Sequence, residues 1–248
     1  MAARAGEYGA DMGKQRPFLA DVLAAVGVAA LYRAHVRPWI HTWGARADEV
    51  AAALPGDELV DPQALRTTRA VTIHAPRHDV WPWLVQIGED RAGFYSYSLL
   101  ERAVGADVHN ADSIHPQWQR LQVGDTVWLA RRYGPHARQI VAALEPKSHL
   151  VLVSPTDYQR LRRGGKASGC WSFTLRREVG QTRLLARGSG GPVGHFWFDI
   201  PHFVMEQKML RGIAERAQRA RRREIAASIA RHPSTPRVGR PVRIAHGT

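Results

Sequence analysis

The chain has 248 residues, 44% hydrophobic and 23% charged, which is enough apolar material for one main domain of about 150 residues with extensions. Its single cysteine, Cys170, excludes an internal disulfide and fits a reducing compartment. The net charge is +13, but residues 207–248 hold 11 Arg and Lys against 2 Glu, so a uniformly basic fold is excluded and the charge belongs to an appendage.

Residues 1–16 are small, polar and of mixed charge, the composition of a disordered end. Residues 17–32 (PFLADVLAAVGVAALY) form an apolar run broken by Asp21 and closed by Arg33. As a helix it spans roughly 24 Å, short of the roughly 30 Å hydrocarbon core. Tyr32, Trp39 and Trp43 would then lie at an interface, and no cleavage site for a secretory signal follows. Two readings stay open for residues 17–43: a membrane anchor on a cytoplasmic protein, or an ordinary soluble helix. Residues 44–64 read as a short helix (ADEVAAAL) and a linker opened by Pro55-Gly56.

The main domain is expected over 65–218. Thr67 to His74 alternates and is β-branched, so it predicts a strand. Residues 77–88 predict a helix closed by Gly88, with Pro82 tolerable only in its first turn. Residues 96–104 predict a second, capped by Ser96 and stopped by Gly105. After a polar connection, period-two patterning predicts strands at 125–132, 138–145, 149–154, 168–177 and 181–188, joined by short turns into an antiparallel meander. GSGGPVG at 188–194 reads as a flexible hinge, its glycines matching no phosphate loop. The last element is a helix over 200–231. Asp199 would cap it, Pro201 would sit in its first turn, and Met205, Met209, Ile213 and Ala217 would form one stripe. Its first half should be buried against a sheet. From 219 onward a basic helix end passes into a loose tail. Strands followed by a helix give an α+β domain with helices on one face of an antiparallel sheet.

This order, with the phrases TIHAPRHDVWPWLVQIG, GFYSYSLLERAVG, HNADSIHPQWQRLQVGD and HFVMEQKMLRGI, resembles the START-like, polyketide cyclase/dehydrase superfamily also called SRPBCC, and within it an actinobacterial branch. The resemblance covers about residues 43–220. It implies a helix-grip fold: a curved antiparallel sheet wrapped round a long C-terminal helix, enclosing an apolar cavity. Some relatives carry an N-terminal membrane segment. The resemblance brings no catalytic motif to carry over residue by residue, and it implies no cofactor and no metal.

Such a cavity would be lined by large residues of the concave sheet face and the helix. Trp81, Leu84, Tyr95, Tyr97, Trp128, Trp171, Phe173, Phe203, Met205 and Met209 are the candidates, each of which is equally at home in a plain core. Asp107, His109, Asn110, Asp112 and His115 form the densest polar cluster. His109, Asp112 or a pocket tyrosine would be the acid or base of a cyclase- or dehydratase-like enzyme, but Asn and Asp in a connection also serve turns and caps. Cys170, between Gly169 and Trp171, reads as a buried inert thiol. Arg219, Arg221, Arg222 and Arg223 would face an anionic lipid surface. No nucleic-acid motif accompanies them, so nucleic acid ranks below lipid as their partner. The leading expectation is binding of a small apolar ligand or lipid. An enzyme and a nucleic-acid-associated protein are the alternatives, and the sequence is silent on oligomeric state.

Overall fold

The structure, a computed structural model, describes residues 12–97 and 109–231, with side chains from Ala20 onward. The predicted helix over 96–104 therefore lies outside the described residues beyond Tyr97, as do Asp107, residues 1–11 and the expected loose tail at 233–248; residues 12–16, expected to be disordered with the rest of 1–16, instead form the start of the first helix.

Helix α1 (Met12–Leu31) runs through one π turn (Tyr32–Val36) into α2 (Arg37–Thr42). A short α3 (Ala47–Ala51) follows, then β1 (Arg66–Ile73) and α4 (Arg77–Val85). The remaining strands are β2 (Thr126–Trp128), β3 (Arg138–Glu145), β4 (His149–Val153), β5 (Gly169–Glu178) and β6 (Gln181–Gly190). Helix α5 (Pro155–Arg162) interrupts the meander, and α6 (Phe196–Arg231) closes the fold. The six strands form one antiparallel sheet in the order β1-β6-β5-β4-β3-β2, with a bulge between Val141 and Ala143. This is the helix-grip, α+β arrangement expected.

Strand periodicity divides the side chains between two faces. On the concave face Ile73, Leu150, Leu152, Phe173, Leu175, Leu184 and Ala186 form one core with α4 and α6. On the convex face Ala70 and Leu185 pack against Leu54, while Val151, Val153 and Cys170 pack against Val60. The stretch after α3 is thus no free linker. It covers the convex face, and three buried arginines position it and α6: Arg183 and Arg187 outside, Arg69 inside.

Three local expectations need correction. Helix α6 begins four residues before 200. Asp199 sits in its first turn, and its Oδ1 accepts the Gly194 N–H at 3.0 Å, so it braces the start from inside the helix. The hinge is no hinge: Gly188, Ser189 and Gly190 end β6, where the Gly190 N–H donates to Leu65 O at 2.9 Å. Pro82 lies beyond the first turn of α4, a helix of 9 residues, and its carbonyl instead accepts Gln119 Nε2–H at 3.2 Å. Helix α5 escaped the strand pattern. Its signature is Ser154, whose Oγ accepts the Asp157 N–H at 3.0 Å, with Pro155 at the first position.

Gly212, the lone glycine of α6, is required by packing. A Cβ there would lie 2.5 Å from the Tyr95 carbonyl oxygen. Tyr95 itself has φ of 55° and is held by its neighbours: its N–H donates to Asn110 Oδ1 at 2.6 Å and its hydroxyl to Trp83 O at 3.1 Å.

Candidate functional site

A cavity of about 940 Å³ opens between the first turns of α6 and the ends of β5 and β6. Its size and apolar walls are those of small-molecule sites. The room has a local cause. Across the register Trp171 faces Gly188 and Gly169 faces Gly190, so glycines at the strand ends leave space that Trp171 alone does not fill. From α6, Trp197, Ile200, Met205 and Met209 supply wall, and from the loop before it Pro192 and Val193 do.

One edge of the cavity is polar. His202 and Glu206, four residues apart and so on one helix face, both border it, His202 with a partly exposed ring and Glu206 with its carboxylate sealed behind the wall. Glu206 Oε2 accepts from Arg69 at 2.6 Å and Oε1 from Trp171 Nε1–H at 2.6 Å. Arg69 also donates through Nε to Ile40 O at 2.7 Å and through NH1 to His202 Nδ1 at 3.1 Å. The side chains of Arg69 and Glu206 are fully buried, and the second terminal nitrogen of Arg69 has no partner. Burial by itself would raise the Glu206 pKa. The Arg69 guanidinium, then His202 and the hydrogen bonds from Arg69 and Trp171, outweigh it and hold the carboxyl below its usual range. Burial lowers the pKa of His202 against the opposing charge of Glu206, so its ring is neutral at pH 7.

A second polar point lies at the strand-end side. Asp157 accepts from Ser154 Oγ at 2.9 Å and from Ser168 N at 2.8 Å. Burial opposes its ionisation, but the Ser168 and Ser154 hydrogen bonds and Arg160 prevail and its pKa falls. These bonds close a cap and a turn, which is structural work. Cys170 beside them is buried, and burial pushes its thiol up to about 11.

Of the ten cavity candidates, Trp171, Met205 and Met209 line the wall. Trp81, Leu84, Tyr95 and Phe173 are sealed in the main core instead. Phe203 turns to α2, with its ring 5.2 Å from Trp39 and 6.2 Å from Trp43. Tyr97 is exposed beneath Lys208, and Trp128 lies between Arg131 and Arg138. A stripe of large residues spans more helix surface than one cavity, so residue type alone does not sort wall from core.

The polar cluster does not converge on the cavity. Asn110 fastens the Tyr95 segment through Oδ1 and through Nδ2–H to Ser96 O at 3.1 Å. Asp112 is largely exposed and pairs with Arg216 at 3.0 Å. His109 is exposed, and His115 lies tilted against Trp118, their ring centres 4.4 Å apart. Among the described residues no group of His, Cys, Asp and Glu could hold a metal ion. Burial raises the pKa of the Tyr95 phenol, and Gln86 and Trp83 tie it, which removes it as an acid or base.

Of the arginine run, Arg219 lies 4.0 Å from Asp112 and Arg221 pairs with Glu224 at 3.0 Å, while Arg222 and Arg223 are exposed. The run sits about 20 residues beyond Asp199, roughly 30 Å along the helix. Sequence reasoning missed Glu206, His202 and Arg69. The available signal was an ionisable pair at i, i+4 inside an apolar helix face, and an arginine on the same strand face as Val71 and Ile73.

No family model matches the chain, and no curated protein matches it. Solved structures with a similar fold include a protein from Nitrosomonas europaea (11% identity, 65% of this chain and 98% of that one, TM-score 0.41). The Aha1 dimer from Colwellia psychrerythraea is another (14%, 62% and 96%, 0.38). A Polyketide_cyc-like protein from Corynebacterium glutamicum is a third (17%, 71% and 99%, 0.30). At these scores the likenesses carry no argument about function. The helix-grip assignment rests on strand order and register.

Proposed function

We propose that this protein binds a small apolar molecule in the cavity between β5, β6 and α6, and does so at a membrane surface. The cavity carries the reading: about 940 Å³ of mainly apolar wall with one polar edge at His202. Binding is favoured over acid–base catalysis because a carboxyl held below its usual range is a weak base, and Glu206 is already engaged by Arg69 and Trp171.

The surface part rests on α1. Every residue from Ala20 to Leu31 is exposed, including Leu23, Val26, Val28 and Leu31. From Val22 to Leu31 the helix is apolar on every face, which suits immersion in lipid better than a one-sided protein groove. It does not span: among the described residues no helix is long and apolar enough to cross a membrane. Its base is fixed beside the cavity, since Asp199 at the start of α6 pairs with His41 at 2.7 Å and lies 4.0 Å from Arg37. Exposed Phe196, Trp197 and Ile200 continue the apolar surface toward the mouth. A ligand soluble in lipid would then enter from the leaflet.

Native mass spectrometry of the full-length protein, with extraction of what co-purifies, should find one apolar molecule per chain. Met205→Trp should displace it without loss of folding, because Met205 is half-buried and faces the void, whereas Met209 is packed in the core. Flotation with vesicles should recover the intact chain, and deletion of residues 1–31 should abolish flotation. A chain that co-purifies empty and shows no saturable uptake ends the binding reading. A chain that stays at the bottom of the gradient ends the membrane reading.

A further inference from the structure

Two basic segments stand at the end of the sheet where the cavity opens, and what they imply rests on the membrane reading above. The first leaves the cavity wall at Ala130 and returns to it at Gln139, joining β2 to β3, and it carries Arg131 and Arg132, both exposed. The second leaves at Asp157 and returns at Ser168 through the end of α5, and it carries Arg160, Arg162, Arg163 and Lys166, all exposed. Each segment begins and ends on the wall, so neither lies far from the mouth. Neither contains an acid.

Half of these cations are already engaged. Arg131 lies over the Trp128 ring at 5.6 Å and 3.9 Å from Asp90, Arg160 pairs with Asp157 at 2.8 Å, and Lys166 donates to Glu58 O. Arg162 and Arg163 have no hydrogen bond or ion pair among the described residues, and Arg132 lies only over the Tyr133 ring, at 5.7 Å. The same end of the molecule exposes Phe196, Trp197 and Ile200, and α1 is fixed there through His41 and Asp199. Exposed aromatics beside uncompensated cations are the composition of a membrane interface. An anionic leaflet complements both kinds of group, whereas a nucleic acid would meet the cations and leave the apolar groups bare.

We propose that the mouth of the cavity docks on an anionic phospholipid surface through Arg132, Arg162 and Arg163, with Phe196 and Trp197 entering the headgroup layer beside them. The arginine run at the far end of α6 stands outside this contact. It lies roughly 30 Å along the helix from Asp199, about three times the Debye length of about 10 Å at 0.1 M salt.

The test is flotation of the full-length protein over a range of lipid concentrations, with vesicles of phosphatidylcholine alone or mixed with phosphatidylglycerol. At low salt the mixed vesicles should bind at least about tenfold more tightly, since each cation near an anionic surface is worth about fivefold, attenuated with distance. The triple variant Arg132→Gln, Arg162→Gln, Arg163→Gln has no protein hydrogen bonds or ion pairs to lose and should bind both vesicles as native protein binds phosphatidylcholine. The pair Arg222→Gln, Arg223→Gln should keep the full preference. Equal native binding to the two vesicles, a preference kept in the triple variant, or a preference lost in the Arg222 and Arg223 pair would overturn the assignment and leave the membrane reading standing. If neither vesicle binds, both readings fall together, and capture of a mixed-sequence DNA duplex through the same three arginines would then give this face to nucleic acid.

Discussion

The two faces of the sheet bury arginines in opposite ways. On the convex face Arg187 is saturated. Its Nε donates to Thr68 Oγ1 at 3.0 Å, NH1 to Ala52 O and Asp57, and NH2 to Glu49 O and Val50 O at 3.0 Å. Arg183 beside it grips both oxygens of Glu49, with Thr72 and Gly44 completing its set. On the concave face Arg69 has one terminal nitrogen without a hydrogen bond, and its pair with Glu206 is sealed behind the cavity wall. A buried charge with every donor used is a fastener. A buried pair with a donor to spare holds α6 with fewer bonds than the geometry allows.

The largest expected effect tests the fastener. Arg187→Leu removes five donors, orphans three backbone carbonyls and leaves Asp57 only the Leu54 N–H and Arg66 at 3.5 Å. The loss should be about 3–5 kcal/mol, as for breaking a buried pair, read as a lower midpoint in urea with the co-purifying apolar molecule retained per folded chain. Replacing Asp57 as well should not restore the loss, since the carbonyls stay unpaired.

The inner pair should behave differently. Arg69→Met alone leaves Glu206 buried with only Trp171 and should cost about 2–4 kcal/mol. Adding Glu206→Met should recover most of that, because exchange of a whole buried pair for apolar groups is often neutral. Equal rescue at the Arg187 and Arg69 sites would erase the distinction between the faces.

The inner face should also carry a pH dependence. His202 is held below its ordinary pKa, so the unfolded chain takes up a proton near pH 6.5 that the folded chain refuses. Stability from this residue is full above that point and is lost as pH falls toward the folded pKa, with a slope of at most about 1.4 kcal/mol per pH unit. Glu206, also lowered, contributes stability above its unfolded pKa, near 4.5, that is lost as pH falls further. Urea midpoints from pH 7 to 5 should therefore slope less in His202→Phe than in the native chain. An unchanged slope would mean the ring is already solvated.

Much of this was legible from residue order. Alternation at 67–74 and 169–190 specified the strands, the turns their antiparallel sense, and the stripe from Met205 to Ala217 the buried helix. The polar edge was not. Arg69, His202 and Glu206 are far apart in sequence, and 137 positions separate the ion pair. A lone arginine in a strand looks like an exposed residue until its partner is placed. The cavity was only half visible for a related reason. Large aromatics signal burial, but the void comes from Gly188 and Gly190, whose lack of side chain is silent in any count of bulky residues.

The smallest expected effect concerns the cluster that looked most like chemistry in the sequence. Asn110 and Asp112 are two residues apart and both polar, yet they should answer differently to alanine. Asn110 uses Oδ1 and Nδ2 on the backbone of Tyr95 and Ser96, the segment that holds Tyr95 at positive φ against Gly212. Losing it leaves a partly buried N–H and C=O without partners, which costs about 1–2 kcal/mol. Asp112 is 72% exposed and meets Arg216 across solvent, a pair whose median worth is about 0–1 kcal/mol. Arg216 keeps its donation to Ala111 O at 2.9 Å without it. Asp112→Ala should therefore shift the urea midpoint by less than half the shift of Asn110→Ala, and salt should shrink the Asp112 effect further while leaving the Asn110 effect in place. Neither substitution should displace the co-purifying apolar molecule, because neither side chain lines the cavity. Loss of that molecule in Asp112→Ala would return this cluster to the site.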